Sequence, residues 1–356
     1  MVGAADRCRE LAEAIAQAAP PPMTIMEVCG THSHAIARYG LSQLLPPQVR
    51  LVSGPGCPVC VTADEDLDAI VQIARQGAII ATFGDMVRVA GPRGSLADAR
   101  AIGAQVQVLY SPMQSLQLAE SNPERQVVLL GIGFETTTPA IAVTMAEAAA
   151  RDLGNFSVYC AHKIIPPAMA VLAADPECGI DAFLCPGHVS TIIGSRAYEP
   201  LVRQFGTPCA IGGFAPTEIL EAVYALVLQV TSGQPRVDNC YSRAVQPEGN
   251  PTALAAIADA FEPADALWRG VGLIPESGLQ IADRYAHLDA RSRFELEPAL
   301  QRPIDGCLCG QVLQGKAVPT DCPAFGTTCT PQSPIGPCMV SSEGSCAAVY
   351  RYQTVR

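Results

Sequence analysis

Cysteines carry most of the chemistry available to this sequence. Cys57 and Cys60 form a Cys-x-x-Cys pair inside the turn Gly54-Pro55-Gly56-Cys57-Pro58-Val59-Cys60. A strand-like run, Val49 to Val52, precedes the turn. Helix-like sequence follows it: Thr62 and Glu65 have capping-box spacing, and Leu67, Ile70, Val71 and Ile73 recur on one face. Two thiols held at the positive end of a helix have lowered pKa values and suit redox or metal chemistry. The plain alternative is a tight turn whose cysteines are small apolar residues. Cys29 repeats the arrangement, because the strand Thr24–Val28 runs into Cys29-Gly30-Thr31-His32-Ser33-His34 and then into helical sequence through Tyr39. That position is again expected to favour thiolate. His32 then serves a ligand beside Cys29, as hydrogen-bond donor or proton shuttle, or else caps the helix; His34 packs or faces solvent.

Near the C-terminus, Cys322, Cys329, Cys338 and Cys346 are well separated, and the pair Cys307 and Cys309 lies just upstream. Four thiolates satisfy either a zinc site or a 4Fe–4S cluster. Zinc ribbons use short knuckles that these four cysteines lack, and the looser loops fit a cuboidal cluster better. Cys307 and Cys309 are then outer neighbours or core residues. The surrounding segment is rich in Gly and Pro, with little periodicity, and needs a staple to hold together. Cys8, Cys160, Cys185 and Cys209 read as ordinary core residues, whereas Cys178 and Cys240 carry no clear signal.

The elements that must position these thiols alternate. Strand-like runs at 24–28, 49–52, 78–83, 106–110, 127–130, 157–161, 182–184 and 208–211 are mostly separated by helical patterns at 64–76, 95–104, 112–120, 138–153, 167–174, 195–205 and 216–231. This predicts an α/β fold: two consecutive lobes with mainly parallel sheets flanking a cleft, plus a cysteine-rich iron–sulfur domain at the C-terminus. The expected boundaries are 1–120, 121–230 and 231–356, with 253–260 helical and 268–279 irregular. Polar, Gly-rich segments follow strands at Gly131 to Thr137, at His162-Lys163 and at Pro186 to Ser190, where α/β sheets bind ligands. His162, Lys163 and His188 are thus candidates to line the cleft. Glu135, Thr136 and Thr137 either recognise a ligand or cap the next helix, and His287 is structural. Gly131-x-Gly133 lacks the third glycine of a dinucleotide fingerprint, which excludes a Rossmann cofactor.

Composition bounds the rest. The 356 residues are 49% hydrophobic and 16% charged, as in a compact globular protein. A net charge of −11, with lysine only at Lys163 and Lys316, argues against nucleic acid and anionic membrane as partners. No apolar stretch is long enough to span a bilayer, and the charged N-terminal helix is unlike a signal peptide, so the cytoplasm is expected.

Taken together these motifs resemble one family, HypD, of nickel–iron hydrogenase maturation. The resemblance rests on Cys29-Gly30-Thr31-His32, Gly54 to Cys60, Gly133-Phe134-Glu135-Thr136-Thr137, Pro186-Gly187-His188-Val189-Ser190, and the run from Cys322 through Phe325-Gly326, Cys329-Thr330-Pro331 and Cys338-Met339-Val340-Ser341 to Cys346. The family's usual aromatic pair near the end is reduced to Val349-Tyr350. The resemblance implies an assembly scaffold with redox activity, not a conventional metabolic enzyme. With a small HypC-like chaperone it would hold one iron while a HypE-like donor delivers cyanide. The finished Fe(CN)2CO unit would pass, through the HypC-like partner, to the hydrogenase large subunit. Carried onto this sequence, Cys29 would hold the iron, and Cys57 and Cys60 would be a redox-active pair near it and candidate further ligands. Cys322, Cys329, Cys338 and Cys346 would hold a 4Fe–4S cluster that feeds the pair. The competing readings are a free-standing iron–sulfur thiol–disulfide oxidoreductase and a structural zinc protein.

Overall fold

The structure, a computed structural model, describes residues 3–300 and 306–353. Eleven strands are present among them: β1 (Met23–Glu27), β2 (Val49–Ser53), β3 (Ile79–Thr82), β4 (Gln105–Val108), β5 (Val127–Gly131), β6 (Phe156–Cys160), β7 (Ala182–Cys185), β8 (Cys209–Ile211), β9 (Val237–Asn239), β10 (Phe261–Trp268) and β11 (Gly272–Ile281). The predicted α/β class holds. A five-stranded sheet runs in the order β2-β1-β7-β8-β9 and a four-stranded sheet in the order β4-β3-β5-β6. Every pairing in both is parallel. Their central strands are buried on both faces, which explains continuous apolar runs such as Val127–Leu130.

The sheets belong to two compact units that interleave along the chain. One comprises the N-terminal stretch through Cys60, then Ile165–Pro251 and the C-terminal cysteine-rich segment; the other comprises Val61–Ile164 and the residues from Thr252 to the end of the first described run. This differs from consecutive lobes cut at 120 and 230. The strand β7 pairs with β1 across the second unit's segment Val61–Ile164, and local patterning carries no information about such a pairing.

In the first unit, α1 (Ala4–Gln17) and the helix Pro216–Ser232 share one core with β1. Cys8, Leu11 and Ile15 meet Ile25, Leu220, Val223 and Val227 there. α2 (Gly30–Tyr39) ends on Gly40 at φ 62, the left-handed cap that glycine adopts without strain. α3 (Pro58–Val61) is a single turn. The cysteine-rich segment contributes short helices, among them Cys309–Leu313, Pro337–Val340 and Ser345–Gln353.

In the second unit, α4 (Asp64–Arg75) takes Ala63, one residue after Thr62, as its N-cap, and Asp64, Glu65 and Asp66 in the first turn complement the helix dipole. Residues 268–279 are not irregular. They lie in an antiparallel hairpin, β10 with β11, that carries a register shift between Ala264 and Ala266. Trp268 is fully buried at its end, donating from Nε1 to Ser277 Oγ at 2.8 Å and stacking on Phe134. No helix among the described residues is long and apolar enough to cross a membrane.

Candidate thiol and metal centre

β1 lies between β2 and β7, with Glu27 opposite Ser53 on one side and Leu184 on the other. Three parallel strands therefore end together, at the edge where α/β sheets place ligands. Cys29 leaves β1 at this edge as the N-cap of α2, with φ −147° and ψ 119°, and is 7% exposed. Backbone N–H groups of His32 and Thr31 point at its sulfur, as the sequence suggests. They do not decide its charge. Burial pushes the thiol up, the Glu27 and Glu343 carboxylates add to the effect, and the result is about 12. The expected thiolate is thus corrected to a protonated thiol, whose proton a metal must displace.

The Cys-x-x-Cys turn wraps the same backbone. Gly30 N–H donates to Gly56 O at 3.0 Å, and Gly54 N–H to Glu27 O at 2.7 Å. A Cβ on Gly56 would stand 2.2 Å from the Cys29 nitrogen, so only glycine permits the approach. Cys57 and Cys60 are both buried and joined by a disulfide, with Cα atoms 5.2 Å apart. Cys60 N–H also donates to Cys57 Sγ at 3.2 Å.

Two buried groups flank Cys29. Glu27, missed in the sequence, accepts from Cys29 N–H at 2.9 Å and from the Ser33 hydroxyl. Burial raises its carboxyl to about 7 against the hydrogen bonds from Ser33, Cys29 and Ser53 that pull it down. An acid at the end of the strand-like run, directly after the apolar Ile25 and Met26, was the available signal. His32 is fully buried, and its Nε2 meets Gly213 O at 2.9 Å. A carbonyl only accepts, so Nε2 carries the hydrogen and Nδ1 is left as a bare acceptor with no partner among the described residues. Burial lowers His32 to about 4, which keeps it neutral. Its ring lies against Phe214, which stacks at 4.0 Å on the exposed His188. His34 instead meets Tyr352 OH at 3.1 Å.

The C-terminal cysteines gather in this unit too. Cys307, Cys309, Cys322, Cys329, Cys338 and Cys346 line one cavity with Val312, Phe325 and Met339. Cys309 and Cys338 touch, sulfur to sulfur, at 2.7 Å. Cys346 is pushed up by burial and by the proximity of Cys309, Cys307, Cys329 and Cys322. Ile335 N–H donates to Cys329 Sγ at 3.3 Å. Among the described residues no three His, Cys, Asp or Glu side chains gather tightly enough to hold a single metal ion.

The remaining candidates fall in the second unit. His162 is buried against Phe261, lowered by burial to about 4. Lys163 is buried beside Asp66 at 3.7 Å, and Asp66 also takes Arg291 at 2.6 Å and Tyr159 OH at 3.1 Å. This is a buried ionic cluster, and Lys163 is part of that packing. Glu135 is buried. Thr137 and Thr138 hydroxyls turn back to Phe134 O and do not cap the helix Thr138–Ala150.

Comparison with known proteins agrees with this arrangement of motifs. The family HypD, described as "Hydrogenase formation hypA family", matches residues 6–353. The chain belongs to the HypD family. It is 48% identical over 354 residues to "Hydrogenase maturation factor HypD" of Azotobacter vinelandii, covering 97% of this chain and 93% of that one. It is 46% identical to the protein of the same name from Escherichia coli K12, over 98% and 94%. To "Hydrogenase expression/formation protein HupD" of Azotobacter chroococcum it is 47% identical, over 97% and 93%. The motifs of the HypD resemblance therefore fall within a match that spans nearly the entire chain.

Proposed function

We propose that this chain is a maturation factor for nickel–iron hydrogenase that holds one iron, as cargo, on Cys29 while the iron acquires two cyanides and one carbon monoxide. The observation that carries the reading is the Cys29 turn. A buried thiol stands at the meeting point of three strand ends, wrapped by the Gly54–Cys60 turn, with His32 presenting an unpartnered acceptor nearby. A soft thiolate suits low-spin ferrous iron. A HypC-like partner supplies the second thiolate and carries the finished unit to the hydrogenase large subunit; a HypE-like donor supplies cyanide. The names of the relatives as hydrogenase maturation factors support this assignment. The cytoplasm is the compartment it requires.

Each residue then has a task. Cys29 gives up its proton as iron binds. His32, whose Nε2–H is already donated to Gly213, accepts a hydrogen bond at Nδ1 and does not donate one to cyanide. The Cys57–Cys60 disulfide takes two electrons and two protons to become a dithiol, and returns them on reoxidation.

The six-thiol cavity is buried, apolar and lined by soft donors, which fits an iron–sulfur cluster. When bound, a 4Fe–4S cluster supplies single electrons at low potential. On this reading Cys322, Cys329 and Cys346 are three of its ligands. The resemblance gives Cys338 as the fourth; Cys309 meets both Cys338 and Cys307, and Cys346 lies near Cys309, Cys307, Cys329 and Cys322, so Cys307 is the rival to Cys338 for that place. The two assignments separate in the visible absorption of anaerobically purified variants: Cys307→Ser loses the chromophore and Cys338→Ser keeps it if Cys307 is the ligand, and the reverse holds otherwise.

Infrared spectroscopy of the chain co-produced with its small partner tests the main reading. Stretches from one CO and two cyanides, lost in Cys29→Ala, are expected. The disulfide itself favours one rival, a free-standing thiol–disulfide oxidoreductase. Silent infrared spectra, with disulfide reduction by Cys57 and Cys60 intact in Cys29→Ala, would establish that rival.

A further inference from the structure

One loop of the cysteine-rich segment touches both the thiol cavity and the Cys29 turn. On the Cys29 side, a Cβ placed on Gly30 would come 2.4 Å from Glu343 Cβ and 2.6 Å from Glu343 O, so the loop is seated directly on the residue after Cys29. Thr31 Oγ1 faces Glu343 Oε1 at 3.5 Å. The helix Ser345–Gln353 continues the contact along α2, where Tyr352 and His34 pack edge to face and share the 3.1 Å hydrogen bond. On the cavity side, a Cβ on Gly344 would strike the Cys338 carbonyl oxygen at 2.1 Å. Ser341 N–H donates to Pro337 O at 3.1 Å, and Cys346 itself lines the cavity. Four residues, Ser341 to Gly344, therefore have cavity-lining cysteines at both ends and the Cys29 turn against their middle.

We propose that the Ser341–Gly344 loop is a positioning clamp for Cys29, and that filling the thiol cavity sets the clamp. With the cavity filled, Cys346 is tied down, the loop is fixed and the Cys29 turn is held in its buried geometry. With the cavity empty, the anchor of the loop is lost, the contact at Gly30 loosens and the thiol becomes accessible. Only a chain whose cavity is loaded then offers iron an ordered Cys29. The contact at Gly30 stands on the geometry alone; the dependence on loading rests on the proposed metal occupancy of the cavity.

The test is the alkylation rate of Cys29 in the full-length chain, produced without its partners so that no cargo protects the thiol. Iodoacetamide labelling at one fixed pH is followed by peptide mass spectrometry, with Cys160, buried in the other unit, as internal reference. Stripping the metal anaerobically with a chelator is expected to speed Cys29 labelling roughly tenfold, by shifting a local opening equilibrium, and to leave Cys160 unchanged. Gly30→Ala is expected to speed Cys29 labelling in the loaded chain while the cluster absorption persists, because its new methyl group meets backbone that cannot swing aside. Should Gly30→Ala not fold, Tyr352→Phe removes only the hydrogen bond to His34 and is expected to give a smaller acceleration of the same sign. Equal Cys29 rates in loaded and stripped chains would overturn the coupling. An unchanged rate in both variants would overturn the clamp. A chain that purifies without metal would defeat the cluster reading instead, and the comparison of the variants with the wild type would still decide the clamp.

Discussion

At Gly56 a single methyl group would sit 2.2 Å from the Cys29 nitrogen and 2.4 Å from the Val28 carbonyl carbon, both of them backbone atoms. Gly56→Ala is therefore expected to cost about 2–3 kcal/mol by overpacking and to lower iron loading at Cys29. Gly154→Ala, which meets nothing within 4 Å, is the control and should be near neutral. Denaturant unfolding of the two variants compares them. The glycine was visible in the sequence as part of a motif, but its reason was not, because the contact joins two strand ends brought together only by the β1–β2 pairing. Cys29 makes the same point about charge. Its place at a helix N-terminus was legible from the strand-to-helix pattern. Its protonation was not, since the two carboxylates that oppose ionisation come from the strand before it and from the far end of the chain.

Among the elements, parallel strands and the helices between them were legible because periodicity and Gly-rich turns mark them. The β10–β11 hairpin was not. Gly270, Gly272, Pro275 and Gly278 read as irregular backbone, yet a two-stranded ribbon with a bulge tolerates them. Its stability comes from what it buries. Trp268 fills the space between the hairpin and Phe134, and its N–H is satisfied by Ser277, which in turn donates to Ile274 O at 2.7 Å. Trp268→Ala is expected to cost about 3–5 kcal/mol. Ser277→Ala, which strands the indole N–H, should cost about 1–3 kcal/mol. Thermal unfolding should place the two in that order. If Ser277→Ala proves neutral, the indole N–H has another acceptor within reach, and its role in fixing the hairpin end is smaller than the geometry suggests.

At the scale of the whole molecule each unit has an apolar core of its own, and the cysteine-rich segment of the first stands apart from both. The second unit has a continuous apolar core, running from Val127 and Leu129 through Ile141, Met145 and Phe156 to Phe261 and Leu279. Residues 306–353 have no strand in the five-stranded sheet and only short helices around the thiol cavity. Lys316 ties them to Asp175 at 2.9 Å and Glu177 at 3.1 Å, a partly exposed pair of ion contacts of little weight. On the proposed cluster reading such a segment depends on a staple, the expectation its Gly- and Pro-rich sequence raised. Binding free energy of a resident metal is then folding free energy for that segment. Anaerobic metal removal should increase amide hydrogen exchange across 306–353 and in α2, which the segment covers, while protection of β3, β5 and β6 stays unchanged. Equal loss of protection in both units would mean that the interleaved chain unfolds as one cooperative body. No change in either would mean that the segment keeps its fold without metal and needs no staple.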